Sequence, residues 1–148
     1  MSSYPLWWDQ TITVYNKVTD TQTRVVTWHK HTIPNCFWHT RASKVQVGEV
    51  MLETDNIVCR IPKQKNFLEQ YAWVNLTDEE KSDYVTLGIG DIVVKGGIAE
   101  EIDEYTQGKR STDLIAKYKR SQGCFEIQKC SFNVSTGMLN PHYHISGV

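Results

Sequence analysis

The stretch Gly90-Asp91-Ile92-Val93-Val94-Lys95-Gly96-Gly97 decides the fold of this 148-residue chain. Its three central residues are β-branched, and such side chains suit a pleated strand better than a helix because they are stiff at χ1. The run is apolar at consecutive positions, so both faces of the strand are expected to be buried, as inside a small barrel or sandwich. Glycines at each end permit tight corners there. The sequence therefore predicts a mainly β fold, a small closed β-barrel or sandwich with this stretch as its central strand.

Other strands are predicted on both sides of the central one. Alternating or β-branched runs predict strands over 11–15, 24–31, 36–39, 56–62, 124–128 and 142–146. The run 36–39 is either a separate third strand or the second strand continued past a bulge. No composition shift divides the chain, so a single domain over 1–148 is expected.

Two or three short helices are expected at the periphery. Thr77 and Glu80 have the spacing of a capping box, which predicts a helix over 77–82. The other predicted helical segments are a turn within 63–75 and a helix over 111–118 with Ser111 or Thr112 as its N-cap.

Two segments are expected to reach beyond the barrel. Residues 40–55 form either an ordinary small ribbon or a projecting loop, with Gly48 in the position of a hairpin tip. Residues 1–10 form an N-terminal arm in which Trp7 and Trp8 point to opposite faces because they are adjacent. One tryptophan is expected to cap the core, and the arm then serves as a lid on the barrel or packs on a neighbouring subunit.

Bulk composition excludes several classes of protein. With 16 basic and 17 acidic side chains the net charge is −1, whereas a protein that grips a phosphate backbone is usually basic. No stretch approaches the roughly 18 apolar residues of a membrane span, and the first residues lack the charged and apolar regions of a secretion signal. We therefore expect a protein used in a cytosol or in a particle assembled there. In that compartment the four cysteines are interpreted as small buried hydrophobes: Cys36, Cys59, Cys124 and Cys130.

The motifs that carry chemistry are weak. The pairs His29-x-His31 and His142-x-His144 each place two imidazoles on one strand face, which is half of a zinc site. The sequence names no third or fourth ligand, so barrel-edge histidines are the simpler interpretation. Gly88-Ile89-Gly90 precedes a strand, whereas a phosphate-binding loop follows one. No nucleophile motif is present, and we predict no enzymatic activity, no cofactor and no bound metal.

An acidic segment is followed closely by a basic one. The acidic residues are Glu100, Glu101, Asp103 and Glu104, and the basic residues are Lys109, Arg110, Lys117, Lys119 and Arg120. Solvated loop and helix faces are the simplest interpretation, and a nucleic-acid surface is an alternative for the basic group. A third interpretation is a head-to-tail ring contact, in which the acids of one subunit meet the bases of the next. Together with Trp7 and Trp8, these charged residues are the candidate subunit contacts.

The order of short sequence words adds a resemblance that runs over nearly the whole chain. The words are Trp-Trp-Asp-x-Thr-Ile-Thr-Val-Tyr-Asn (7–16), Val-Thr-Trp (26–28), Cys-Phe-Trp (36–38), Ile-Val-Cys-Arg-Ile-Pro (57–62), Leu-Gly-x-Gly-Asp-Ile-Val-Val-Lys-Gly (87–96), Ser-Thr-Asp-Leu-Ile-Ala-Lys-Tyr-Lys (111–119), Phe-Glu-Ile (125–127) and His-Tyr-His-Ile-Ser-Gly (142–147). In this order they resemble minor structural proteins encoded near the head–tail genes of tailed phages and prophages of Gram-positive bacteria. They also resemble the head-completion or stopper proteins of long-tailed phages.

The resemblance implies a β-barrel that forms a ring in the virion, between the portal-side adaptor and the tail terminator or tail tube protein. It implies assembly in the host cytoplasm, transient contact with packaged DNA and no contact with a membrane. In stopper-type members a loop between early strands projects into the channel and holds the DNA, and the matching segment here is 40–55. The candidate channel-loop residues are Lys44, Val45, Gln46, Val47, Gly48 and Glu49. The segments 63–86 and 111–119 look longer than in the simplest stopper barrels, so an adaptor or tail-terminator ring stays open.

Two functions of other classes also stay open. An OB-like barrel would present aromatic residues to single-stranded nucleic acid or a sugar, and Trp28, Phe37 and Trp38 are available for that. A metalloenzyme built on the two His-x-His pairs is the other alternative.

Overall fold

The computed structural model describes residues 5–103, 108–134 and 141–148; within these ranges the side chains of residues 41–47, 50–55 and 120 lie outside the description. The strands are β1 Gln10–Thr19, β2 Val26–Val47, β3 Val50–Pro62, β4 Ile92–Lys95, β5 Cys124–Glu126, β6 Lys129–Asn133 and β7 His142–Gly147. The helices are α1 Gln70–Trp73, α2 Asp78–Asp83 and α3 Ser111–Ser121. The mainly β class is thereby confirmed.

The seven strands pair antiparallel in the order β5-β4-β1-β2-β3-β7-β6. The two strands at the ends of this order are joined by only Ile127 and Gln128. The backbone N–H of Ile127 donates to the carbonyl of Asp91 (2.8 Å), and that of Gln128 donates to the carbonyl of Ser146 (2.9 Å). The sheet therefore folds over on itself as a sandwich, but among the described residues no ladder joins β5 to β6, so the expected closed barrel is corrected to an open, sandwich-like sheet.

The strand β4 is buried on both faces, as its consecutive β-branched residues predicted. Val93 lies in the core between the two halves of the sheet, and Ile92 and Val94 lie in a second core on the opposite face. The expectation that β4 is the central strand is wrong, because it stands between β5 and β1. The middle of the order belongs to β2, which has 22 residues and pairs with β1 in its first half and with β3 in its second.

Two hydrophobic cores hold the layers together. The first lies inside the sandwich and contains Ile12, Val14, Cys59, Phe125 and Ile145, all fully buried. The second lies between the β1–β4 side of the sheet and α3 with the segment before it, and includes Tyr15 and Leu114. Burial of apolar area in these layers is the main favourable term for folding.

A bulge explains the continuity of β2. Its register with β1 shifts between Gln10, which lies opposite Cys36, and Ile12, which lies opposite Ile33. Asn35, between these partners, has a φ of 59°, a left-handed conformation that asparagine tolerates better than most residues. The alternative in which 36–39 continues the second strand past a bulge is therefore confirmed.

The predicted capping box is present at the start of α2. The N–H of Glu80 donates to Oγ1 of Thr77 (3.3 Å), and the N–H of Thr77 donates to Oε1 of Glu80 (3.4 Å). The predicted cap of α3 is wrong: the helix begins at Ser111, and its N-cap is Arg110, whose side chain makes no capping hydrogen bond. None of the helices in the described ranges has the length and apolar character needed to cross a bilayer.

The four cysteines are free thiols, as predicted. Cys36, Cys59 and Cys124 are buried, and Cys130 is half-buried. Burial raises the pKa of Cys124 to about 12 and that of Cys130 to about 11, so both are protonated thiols at neutral pH.

Candidate functional site

The most distinctive feature of the surface is a two-stranded ribbon formed by the ends of β2 and β3. The last residue of β2 that pairs with β1 is Cys36, and the first residue of β3 that pairs with β7 is Ile57. Beyond them the register runs as a pure hairpin from Arg41 opposite Asn56 to Val47 opposite Val50. These seven pairs, at about 3.3 Å per residue, carry the tip about 20 Å past the last strand that supports them. We call residues 41–56 the ribbon.

The turn at the end of the ribbon has a simple local cause. Gly48 and Glu49 connect the strands, and Gly48 has a φ of 62°. Glycine at the first central position with positive φ is the arrangement of type II′ hairpins, which match the twist of the strands. Gly48 as a hairpin tip is thereby confirmed, and of the predicted channel-loop residues Gly48 and Glu49 are exposed. Lys44, Val45, Gln46 and Val47 lie on the β2 arm of the ribbon.

An aromatic cluster lies at the base of the ribbon, on the outer face of the sheet. The ring of Phe37 lies 6.3 Å from that of Trp8 and stacks on that of His39 at 6.2 Å, and the guanidinium of Arg60 lies 5.2 Å from its centroid. Trp8 also meets the ring of His142 edge-on at 5.6 Å. We call these five residues the basal aromatic cluster. Of the three aromatics predicted for a binding face only Phe37 belongs to it; Trp38 packs on buried Phe125, and Trp28 packs on the second core.

The two adjacent tryptophans of the N-terminal arm have different environments. Trp8 is 6% exposed and packs in the basal aromatic cluster of its own chain. Trp7 is 68% exposed, and its neighbour Leu6 is 93% exposed. One of the two rings is therefore buried within its own chain and the other is exposed, and the contact predicted for Trp7 stays a prediction.

The acidic and basic segments meet within one chain. Oε1 of Glu100 accepts from Nζ of Lys117 (2.5 Å) and from the hydroxyl of Tyr118 (2.5 Å), and these contacts, Lys117 first, lower the pKa of Glu100. Glu101 pairs with Lys30 at 3.2 Å. Glu100 and Glu101 therefore pair with bases of their own chain, and the predicted contact between subunits stays a prediction.

The remaining described members of the two charged segments are Asp103, Lys109, Arg110 and Lys119. The backbones of Asp103 and Lys109 exchange two hydrogen bonds (3.0 and 2.8 Å). Lys109, Arg110 and Lys119 are exposed. Glu104 and the side chain of Arg120, both predicted contacts, lie outside the described residues.

The two histidine pairs lie on different faces and do not build a metal site. His29 and His31 face the inside of the sandwich, where the ring of His29 meets that of Trp73 edge-on at 5.5 Å. Burial, the largest cause, lowers the pKa of both imidazoles, and their Nε2 atoms have no hydrogen-bond partner among the described residues. His142 and His144 lie on the outer face beside Arg60. Within the described ranges neither pair gains the third ligand that a metal requires.

A wide groove of about 1230 Å³ runs between the β1–β2 hairpin and the α1–α2 region. Three carboxylates line it: Asp20, Asp78 and Asp91. Asp20 accepts from the backbone N–H groups of Gln22 and Thr23 in its own turn (2.8 and 3.1 Å). Asp78 lies in the first turn of α2, where its negative charge interacts favourably with the positive end of the helix dipole. Asp20 and Asp78 therefore each have a role in their own turn or helix.

Asp91 is a buried carboxylate whose hydrogen-bonding role the sequence motifs did not predict. It is 1% exposed, and its carboxylate accepts from the N–H of Lys17 (2.9 Å), Nδ2 of Asn16 (2.9 Å) and the N–H of Gly88 (3.0 Å). Burial raises its pKa to about 6, and these three hydrogen bonds oppose that rise. An aspartate between a glycine and an apolar run was the available signal, because a charge there requires internal donors.

Comparison with known protein families finds a match to a family of unknown function. A family model matches residues 7–148, and its description reads "Family of unknown function (DUF6751)". No curated protein matches the chain, and no solved structure matches it.

Proposed function

We propose that this chain, which belongs to the DUF6751 family of unknown function, is a structural ring component of the head–tail connector of a tailed bacteriophage. The proposed type is the stopper or head-completion protein, which joins the portal-side adaptor to the tail and lines or closes the DNA channel. The role requires no catalytic residue and no cofactor. It rests on the word order of the sequence together with one structural feature, the ribbon.

The ribbon is the observation that supports the proposal most. The resemblance assigns the channel loop to 40–55, and this segment projects about 20 Å from the sheet as a hairpin that pairs with no third strand among the described residues. An isolated two-stranded hairpin is marginally stable in water, so a long one is expected to have a partner surface. A channel at the centre of a ring supplies such a surface.

The charge of the ribbon suits a segment beside moving DNA. Residues 40–55 contain two basic side chains, Arg41 and Lys44, and three acidic ones, Glu49, Glu53 and Asp55. A strongly basic segment would bind the phosphate backbone tightly and slow its passage. A mixed segment with one excess acid allows contact without tight binding.

The N-terminal arm offers an anchor for a neighbouring subunit. Leu6 and Trp7 are adjacent, apolar and largely exposed. Large aromatic side chains that become buried on association dominate the energetics of many protein interfaces. We therefore assign Trp7 to a contact with a neighbouring subunit of the same ring or with the adjacent ring. For the protein as a whole, the position of an adaptor or tail-terminator ring remains the alternative.

The test is direct observation of the assembly and of its location. Native mass spectrometry and negative-stain imaging of the full chain should show closed rings, and an antibody against it should label the head–tail junction of particles from the encoding bacterium. Trp7→Ala should weaken ring formation or particle incorporation, whereas Tyr71→Ala, an equally exposed aromatic on α1, serves as the matched control. A monomer at every concentration that is also absent from particles would refute the proposal.

The basal aromatic cluster favours a second candidate function, a binding module for single-stranded nucleic acid or a sugar. Phe37 and His39 stack on each other on one sheet face, with the cation of Arg60 beside Phe37 and the buried ring of Trp8 behind them. Aromatic rings with a neighbouring arginine are a common platform for stacked bases. Titration with oligo(dT) should then quench tryptophan fluorescence in the wild type and lose that response in Phe37→Ala. No quenching in the wild type at low salt would remove this candidate.

A further inference from the structure

A buried lysine lies at the wide groove between the β1–β2 hairpin and the α1–α2 region. Lys81, in the last turn of α2, is only 7% exposed and lines the groove. Its ammonium lies 5.6 Å from the ring centroid of Trp73, which is fully buried. In the described part of the chain Lys81 forms no salt bridge, and its ammonium donates no hydrogen bond. Lysine is rarely buried this deeply without an acidic partner, because removing its charge from water is costly.

A buried imidazole nitrogen lies close to this lysine. The ring of His29 meets Trp73 edge-on at 5.5 Å, so His29 and Lys81 contact the same indole. His29 also lines the groove, and its Nε2 is buried without a hydrogen-bond partner among the described residues. Buried polar atoms almost always have a partner, which can be a protein group, a water or a bound ion. We call His29 and Lys81 the groove floor.

The acidic residues of the groove do not supply the missing counter-charge. Asp20 and Asp78 are exposed, so water and salt screen their charges. The carboxylate of Asp91 is buried, but it already accepts hydrogen bonds from Lys17, Asn16 and Gly88. The groove floor therefore combines a buried cation and an unpartnered nitrogen, whereas two of the three acids lie in solvent at the rim.

The rest of the groove is rich in neutral hydrogen-bonding groups. The lining residues that carry a hydroxyl or an amide include Thr19, Thr23, Thr27, Gln70, Asn75 and Ser82. Such groups bind hydroxyl groups of a ligand, because each can donate or accept a hydrogen bond. A ligand that suits both the floor and these residues carries one anionic group and several hydroxyl groups.

We propose that this groove is a binding site for a small hydroxylated oxyanion, whose carboxylate or phosphate group lies on the groove floor beside Lys81 and His29. The ammonium of Lys81 supplies the counter-charge, and the anion gives that buried cation the partner it lacks within the chain. The site goes beyond the proposed connector role and requires no ring.

The size and the charges of the groove limit the class of ligand. Its volume of about 1230 Å³ exceeds the roughly 300–1000 Å³ of typical small-molecule pockets, so a small ligand and water fit together. The exposed carboxylates of Asp20 and Asp78 repel a second negative charge near the rim. A nucleic-acid backbone, with a charge on every phosphate, therefore fits the groove poorly.

Binding can be measured by NMR on the full chain labelled with ¹⁵N. The probes are glycerate, propionate, glycerol 3-phosphate and inorganic phosphate, each added at constant ionic strength against chloride. The indole N–H signal of Trp73, assigned with Trp73→Phe, should shift in a saturable way with a Kd below about 10 mM. Glycerate should bind at least threefold more tightly than propionate, and glycerol 3-phosphate at least threefold more tightly than inorganic phosphate. The tighter of the two hydroxylated probes identifies the preferred anionic group.

Lys81→Met removes the buried charge and keeps an unbranched side chain of similar length. It should weaken binding of the hydroxylated probes at least tenfold, whereas Lys119→Met, at an exposed lysine of α3, should change it less than twofold. His29→Phe keeps an aromatic ring beside Trp73 and removes Nε2, so it should weaken binding at least threefold.

Urea unfolding of the same variants tests the argument from burial. In chloride alone, Lys81→Met should unfold at the same urea concentration as the wild type or at a higher one, because it no longer buries an unpaired charge. Adding the tighter probe should raise the midpoint of the wild type, since a ligand that binds only the folded state stabilises it. The midpoint of Lys81→Met should not change.

The measurements can overturn the site without affecting the proposed ring. The absence of a saturable shift with all four probes would overturn it. Equal binding by the wild type and Lys81→Met, or equal losses in Lys81→Met and Lys119→Met, would also overturn it. Because no step requires assembly, such a failure leaves the connector proposal to its own test.

Discussion

Replacing Asp91 by asparagine should change how the stability of the protein depends on pH. The carboxylate is buried and accepts three hydrogen bonds, from Lys17, Asn16 and Gly88. Two effects compete: burial disfavours the charged form, and the three N–H donors favour it. Burial is the larger effect, since the pKa of Asp91 is raised from its ordinary value of 3.8 to about 6.

The sign and size of the effect follow from this difference in pKa. The folded pKa lies above the unfolded one, so the folded chain holds a proton that the unfolded chain releases between these two values. The stabilisation from Asp91 is therefore complete below about pH 3.8 and is lost as the pH rises through about 6. Each pKa unit corresponds to roughly 1.4 kcal/mol, so a difference of about 2 in pKa makes the total loss in the free energy of unfolding about 3 kcal/mol.

Asp91→Asn cannot undergo this loss because its side chain does not titrate. We expect the free energy of unfolding of the variant, relative to wild type, to rise by about 2–3 kcal/mol between about pH 4 and pH 7. Urea titrations followed by tryptophan fluorescence at several pH values measure it. Any constant offset, such as that from the new amide facing the N–H of Lys17, cancels when only the change with pH is compared.

A control with the opposite sign is available in Asp20. It is exposed, and backbone hydrogen bonds from Thr23 and Gln22 lower its pKa. Its stabilisation is therefore present above its unfolded pKa and lost on acidification, so Asp20→Asn should become relatively less stable as the pH rises. A flat or falling difference curve for Asp91→Asn would show that the hydrogen bonds outweigh burial, and our reasoning about this network would be wrong.

Three further predictions concern packing and local structure. Gly147→Ala should destabilise the fold by about 3 kcal/mol in chemical denaturation, because its Cβ would overlap the backbone carbonyl oxygen of Glu126. Gly88→Ala, whose Cβ has the flexible side chain of Gln70 as its nearest neighbour, should cost less than about 1 kcal/mol, and equal costs would contradict this account. Thr77→Ala should cost about 1 kcal/mol through the lost cap of α2, and Thr77→Ser should restore most of it; an unchanged unfolding midpoint in the alanine variant would argue against the cap. In the native protein Cys36, Cys59 and Cys124 should resist a thiol reagent that labels all four cysteines in urea, with Cys130 reacting slowly; rapid native labelling of the first three would contradict their burial.

The features that could be predicted from the sequence depend on neighbouring residues. Three consecutive β-branched residues predict a strand buried on both faces, whatever its partners are. The capping box at Thr77 is a pattern of four residues, and the hairpin tip at Gly48 depends on one residue that accepts positive φ. Local preference and tertiary structure agree at these positions.

The features that could not be predicted depend on which distant residues meet. The residues next to Glu100 in the sequence do not indicate that its carboxylate contacts Lys117 and Tyr118 of the same chain rather than a base of a neighbouring subunit. The distinction between Trp7 and Trp8 arises because only the second ring reaches Phe37 and His142. The cap of α3 also differed from the prediction, and the first helical residue was Ser111 itself.

The sequence by itself determined the mainly β class, the double burial of β4 and the hairpin that ends at Gly48, because stiff side chains and backbone freedom act within a few residues. Only the tertiary structure decided that β2 lies at the middle of the sheet, that Asp91 is held by three internal donors, and that the pairing of β2 with β3 continues beyond the residues that pair with β1 and β7. These outcomes depend on strand register and on where strand pairing stops, and both are set by contacts between segments far apart in the chain.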